Sequence, residues 1–318
     1  MKIARYWATG EAVANRPESA SITLRIWRWS DSSQHDAQQR ATAAAQDAAR
    51  RMESGSELEG GYSYLDQPPR EEIVEEITGN DGDVIATVTR NSYGSLILNT
   101  AALVFIDIDE EAEAEEPDGG GLLARLKQLL ITQGRRKRKA KVSSEFVITH
   151  RGAEHSGGGT DDTETALTAR ITQAAAMFPD DTFRLYQTAA GYRVVMVNRS
   201  ISPTSDECKK LLSSFDTDPL YLRLCEKQEC FRARLTPKHW RCELPRPPNR
   251  FPRRRSQEEE AYEKWKVSYQ EAIEAYATCW FLKELGPGET NPELAILVQV
   301  HDLLSRVDVD PASVLGLA

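Results

Sequence analysis

Two aspartates at the end of an apolar run are the residues of this sequence best placed to do chemistry. Leu103-Val104-Phe105-Ile106 runs straight into Asp107-Ile108-Asp109. Read as a central strand buried on both faces, the run puts both carboxylates on one side, because residues two apart point the same way. Two like charges side by side are costly unless a cation lies between them. Mg²⁺ or Mn²⁺ suits such a pair, since hard cations take carboxylate, phosphate and water oxygens. Two such ions can align a nucleophile and a leaving group on a phosphoryl centre. The plainer reading is a strand exiting into an acidic loop, because Glu110 and Glu111 continue the charge.

A second group is Thr188-Ala189-Ala190-Gly191-Tyr192-Arg193, which reads as a tight hairpin with a hydroxyl at one end and a cation at the other. Gly191 sits where a positive φ is cheap. The turn's N–H groups, with Thr188 and Arg193, form a candidate grip for a triphosphate. A third group is Phe215-Asp216-Thr217-Asp218-Pro219. Asp218 before Pro219 has the pattern of a helix cap followed by proline at the first helical position. That leaves Asp216 as the candidate third metal ligand.

In this order the three groups resemble the motifs of the archaeo-eukaryotic primase-polymerase superfamily. These are an apolar strand ending Asp-x-Asp, a hairpin of the form Ser/Thr-x-x-Gly-x-His, and a later apolar-Asp. The resemblance covers about residues 95–220. It implies that Asp107, Asp109 and Asp216 hold the catalytic divalent ions, and that Thr188, Gly191 and residue 193 contact the incoming nucleotide. It also implies nucleoside triphosphate and nucleic acid as partners. The family's histidine is Arg193 here. Arginine holds phosphate bidentately, so the departure is compatible with binding and leaves nucleotidyl transfer open.

Two further constellations involve other residues. Cys225, Cys230, His239 and Cys242 are four zinc-type ligands within eighteen residues. Their spacing is not that of a standard finger or knuckle, and buried apolar cysteines are the alternative. The segment holding Arg232, Arg234, Lys238, Trp240 and Arg241 interleaves cations with aromatics, a pattern suited to nucleic-acid phosphates and bases. Residues 219–255 carry eleven Lys/Arg against three Glu, a net of +8; residues 256–318 carry four against twelve acids, a net of −8. The overall charge of −9 argues against a protein that coats nucleic acid with its whole surface. A local patch remains compatible with a polyanion.

The elements that must position these residues read as an α+β fold, RRM-like, with a largely antiparallel sheet, flanking helices and a C-terminal helical tail. Strand, strand and helix come first, the second strand alternating over Ser21–Trp29 and the helix running to about Met52. Strands at Glu72–Thr78 and Val84–Thr89 flank the turn Gly79-Asn80-Asp81-Gly82. Ser95–Leu98, Leu103–Ile108, Phe183–Thr188, Tyr192–Val197 and Phe231–Thr236 complete the strands. Helices are expected at Asp161–Met177, after Thr204 and after Asp218. A long one is expected over Glu258–Leu285, with Tyr262, Trp265, Tyr269, Ile273, Tyr276 and Trp280 as its packing face, and a last one over Pro292–Val307. The division is a core over 1–250, with a charged insertion at 110–143, and a tail over 251–318.

With 40% apolar and 28% charged residues the chain can bury a core, which excludes a wholly disordered or collagen-like protein. No apolar window has the length a membrane span needs. Five cysteines do not describe a disulfide scaffold, so a reduced, cytoplasmic protein with no membrane partner is expected. Three function classes follow. They are a metal-dependent nucleotidyltransferase of primase-polymerase type, a catalytically inactive relative that binds nucleotide or nucleic acid within a complex, and a structural or interaction protein.

Overall fold

The computed structural model describes residues 1–16, 19–55, 67–109 and 160–318. The charged insertion at 110–143 lies outside the described residues. The first unit is an antiparallel ribbon, β1 (Tyr6–Arg16) and β2 (Ser19–Ser30), closed by helix α1 (Gln34–Glu53). Ser33 caps the helix by accepting from the Asp36 N–H. Ala37, Ala41, Ala45 and Ala49 form its buried stripe, and small side chains every four residues let helix and ribbon approach closely. Gly10 is required there, because a Cβ would lie 2.1 Å from the Ala41 carbonyl oxygen.

Two four-stranded antiparallel sheets follow. The first has the order β3 (Glu72–Thr78), β4 (Val84–Arg90), β5 (Leu96–Thr100), β9 (Phe231–Arg234). The second has the order β11 (Cys279–Leu285), β7 (Phe183–Thr188), β8 (Gly191–Met196), β6 (Val104–Asp109). Their edges meet at β6 and β9, where the Tyr221 hydroxyl bridges Phe105 O at 3.0 Å and Arg232 O at 3.3 Å. One apolar core runs across the seam, from Leu98, Phe231 and Ala233 to Phe105, Val194 and Leu185.

Helices α2 (Thr160–Ala176), α3 (Asp206–Ser214), α4 (Pro219–Gln228) and α6 (Pro292–Ser305) flank this core. Asp218 caps α4 as expected, accepting from the Leu220 N–H at 2.8 Å. The chain is therefore α+β, with antiparallel sheets, flanking helices and a helix near the C-terminus.

The long helix expected to reach Leu285 ends at Ile273, as α5 (Ser256–Ile273). Tyr262, Trp265 and Tyr269 form its packed face, with Trp265 and Tyr269 stacked at 5.0 Å. Tyr276 lies instead in the short strand β10 (Tyr276–Ala277), which pairs with β12 (Gly316–Leu317). Trp280 lies in β11, which adds an edge strand to the second sheet beside β7. Among the described residues no helix is long and apolar enough to cross a membrane.

Candidate functional site

Strand register decides which sequence candidates meet. In β6 and β8, Asp107 stands opposite Arg193 and Asp109 opposite Gly191. Arg193 in turn faces Tyr186, and Gly191 faces Thr188. Opposed residues of an antiparallel pair share a face, so Asp107, Asp109, Arg193, Thr188 and Tyr186 all lie on one side of the second sheet. The expectation that both acids share a face beside the 189–191 hairpin is met, but on a strand at the edge of its sheet rather than a central one. Gly191 has φ +149°, a conformation that L side chains rarely adopt.

Asp216 does not join them. Phe215 packs on Phe183 at 5.5 Å, and Phe183 belongs with Val104 and Met196 on the opposite face. The Asp216 carboxylate accepts from Arg170 of α2 and is 75% exposed. The expected three-carboxylate site is thus two carboxylates, with the third on the other side of the sheet.

The Asp107 carboxylate is held by Arg193 through both oxygens, Nε to Oδ1 at 2.7 Å and Nη2 to Oδ2 at 3.1 Å. Arg193 Nη1 donates to Arg234 O at 2.9 Å across the seam and reaches His301 Nε2 at 3.2 Å. A guanidinium only donates, so His301 Nε2 accepts and its proton sits on Nδ1. That proton goes to Asp302 Oδ1 at 2.8 Å. Asp302 also accepts from the Tyr186 hydroxyl at 2.9 Å and from Arg184 Nη1 at 2.7 Å. A continuous polar chain therefore runs from Asp107 through Arg193 and His301 to Asp302. His301 is the residue that sequence reasoning missed. Its only signal was its place on the buried face of α6, at helical spacing from Leu294, Leu297 and Val298.

The electrostatics follow from burial and pairing. Loss of hydration raises the Asp107 carboxyl, and the Arg193 charge overrides this, so it titrates below the ordinary carboxylate value. Burial holds His301 below its ordinary 6.5, opposed by Asp302. Burial raises Asp302, but its bonds to His301 and Arg184 bring it below its usual value. Each shift makes folding weaker in acid. As pH falls through 6.5 the unfolded chain protonates its histidine before the folded chain does, so stability declines from there. The carboxylate contributions are complete above 3.8 and disappear as pH drops through their depressed values. A melting-temperature series should fall steadily below pH 6.5, and His301→Gln should flatten its upper part; an unchanged profile would remove His301 from the account.

These residues do not fit a two-ion centre in this arrangement. Both Asp107 oxygens are engaged by a guanidinium, Asp216 is elsewhere, and no metal-holding group of three His, Cys, Asp or Glu exists among the described residues. The four zinc-type residues likewise do not converge. Cys225 and Cys230 are buried thiols near Tyr221 and Arg232, with pKa values raised by burial. His239 Nδ1 lies 2.9 Å from Leu244 O, and its ring meets Trp240 edge-on at 5.0 Å.

The basic segment divides by role. Arg232 binds both oxygens of Glu71, at 2.7 and 2.8 Å, and is an interior ion pair rather than a surface contact. Arg253 is similarly committed, to Glu72 and Glu259, with its guanidinium 3.9 Å from the Tyr262 ring centre. Lys238, Trp240 and Arg241 are half-buried on and before the turn His239–Cys242. Trp240 meets Tyr93 edge-on at 5.3 Å and lies 5.1 Å from Lys238 Nζ; Arg246 lies over Tyr93 at 5.6 Å. Arg241 and Arg234 both feel the Asp109 charge, so this cluster adjoins the seam. No family model, curated protein or solved structure matches the chain.

Proposed function

We propose that this protein is a catalytically inactive relative of the primase-polymerases that binds single-stranded nucleic acid. The observation that carries the reading is the Arg193 guanidinium on both oxygens of Asp107. A carboxylate so engaged is a poor ligand for the ion that transfer of a nucleotidyl group requires. What supports binding is the Lys238–Trp240–Tyr93–Arg246 cluster, in which aromatic rings offer stacking faces and cations meet phosphate. The in-register meeting of Asp107 and Asp109 with the 188–193 hairpin supports the kinship. Five thiols, none in a disulfide, fit a reducing cytoplasm.

The test supplies Mn²⁺, primed and unprimed templates and labelled nucleotides, beside an Asp107→Ala/Asp109→Ala variant. We expect no incorporation by either protein. A labelled single strand should still bind, and Trp240→Ala should weaken it by roughly tenfold, the loss of one stacked base. Incorporation that the double variant abolishes would instead assign the protein to the active transferases.

A further inference from the structure

We infer that the seam between β6, β8 and β9 is a metal-free phosphate site, in which Arg193 stands as a fixed counter-ion to Asp107 and Arg234 receives the phosphate oxygens. The inference rests on the nucleic-acid reading above and adds a phosphate site on the seam that the Lys238–Trp240 cluster adjoins. Among the described residues, Arg193, Arg234 and Arg241 lie around Asp107 and Asp109, so these five side chains carry one positive charge more than they carry negative. Arg193 is spent on Asp107, with a side chain only 3% exposed. Arg241 feels the charge of Asp109.

Arg234 is the third of these arginines. It lies at the end of β9 with Asp107, Asp109 and Arg193 as its charged neighbours. Its guanidinium makes no hydrogen bond or ion pair with the described residues, although its own backbone carbonyl is bound by Arg193. It is half-buried, neither lost in the core nor fully hydrated. Burial lowers its pKa, against the pull of both aspartates, so the charge is held at a cost that an arriving anion would relieve. A planar fork of five donors matches a phosphate's oxygens. In a metal-dependent site two carboxylates hold an ion that holds the phosphate. Here guanidinium groups carry both roles, and no ion is needed.

The test is calorimetry with inorganic triphosphate, in EDTA and in Mg²⁺, with a 5′-hydroxyl single strand as a second arm. The affinity for triphosphate should agree within about twofold between the two buffers. Arg234→Gln should weaken it by roughly tenfold, the loss of a charge-assisted bond, and Arg234→Lys should recover part of it. Because the Arg234 side chain bonds to no described residue and its charge is held at a cost, the melting temperature of Arg234→Gln should equal or exceed that of the wild type, so lost binding would not reflect lost folding. Triphosphate binding that requires Mg²⁺, or that Arg234→Gln leaves intact, would overturn the inference. Strand binding without triphosphate binding would overturn it and keep the nucleic-acid reading; neither ligand binding would overturn both.

Discussion

Asp107→Ala is expected to destabilise the fold by about 3 kcal/mol, the low end of what breaking a buried ion pair costs. The carboxylate is itself 37% exposed, but its partner is not: Arg193 has a side chain 3% exposed. Removing the carboxylate leaves a guanidinium inside the protein with two of its bonds unmade, and that uncompensated charge is the source of the loss. A pair of acids awaiting a metal ion predicts the opposite sign, because deleting one acid relieves repulsion. Chemical denaturation of the wild type and the variant therefore separates the readings by direction. Asp107→Asn keeps an acceptor for Arg193 and should fall between them. A variant more stable than the wild type would restore the metal-centre interpretation.

Arg232→Ala is expected to cost about 3–5 kcal/mol for the same physical reason, and to act on folding rather than on nucleic-acid affinity. Glu71 is 7% exposed and gives both oxygens to Arg232. It also accepts from the Thr89 hydroxyl at 2.6 Å, and Asn99 Nδ2 donates to that hydroxyl at 2.9 Å. The pair thus anchors a polar layer on β4 and β5, and losing either member leaves the other buried and uncompensated. Glu71→Ala should cost about as much, and the double variant less than the sum of the two, since neither charge is then left alone. If Arg232→Ala kept its denaturation midpoint and instead lowered affinity for a single strand, the residue would belong to the binding surface after all.

The sequence is legible where local rules are strong. The 79–82 turn, the Asp218 cap and the paired acids on one face follow from φ preferences, capping and a period of two. Residues 274–285 read as helix in the sequence because Tyr276 and Trp280 continue the helical spacing of Tyr262 to Ile273. What makes Cys279–Leu285 a strand is pairing with β7, a distant partner that no local pattern encodes. The site is half legible for a similar reason. Residue type suggested that Asp107 would take a metal ion and Arg193 a phosphate. Register set them opposite one another, so they satisfy each other. Order along the chain groups Asp216 with the acids, whereas the packing of Phe215 on Phe183 carries it to the other face.

Binding of a labelled single strand, measured by fluorescence anisotropy in EDTA over a salt series, tests the central claim most directly. Saturable binding is expected without any divalent ion, weakening linearly on a log–log plot as phosphate contacts release counterions. Lys238→Ala should lower that slope by about one unit. Absence of binding at about 50 mM salt, where phosphate contacts are strongest, would contradict it, as would binding that appears only when Mn²⁺ is added.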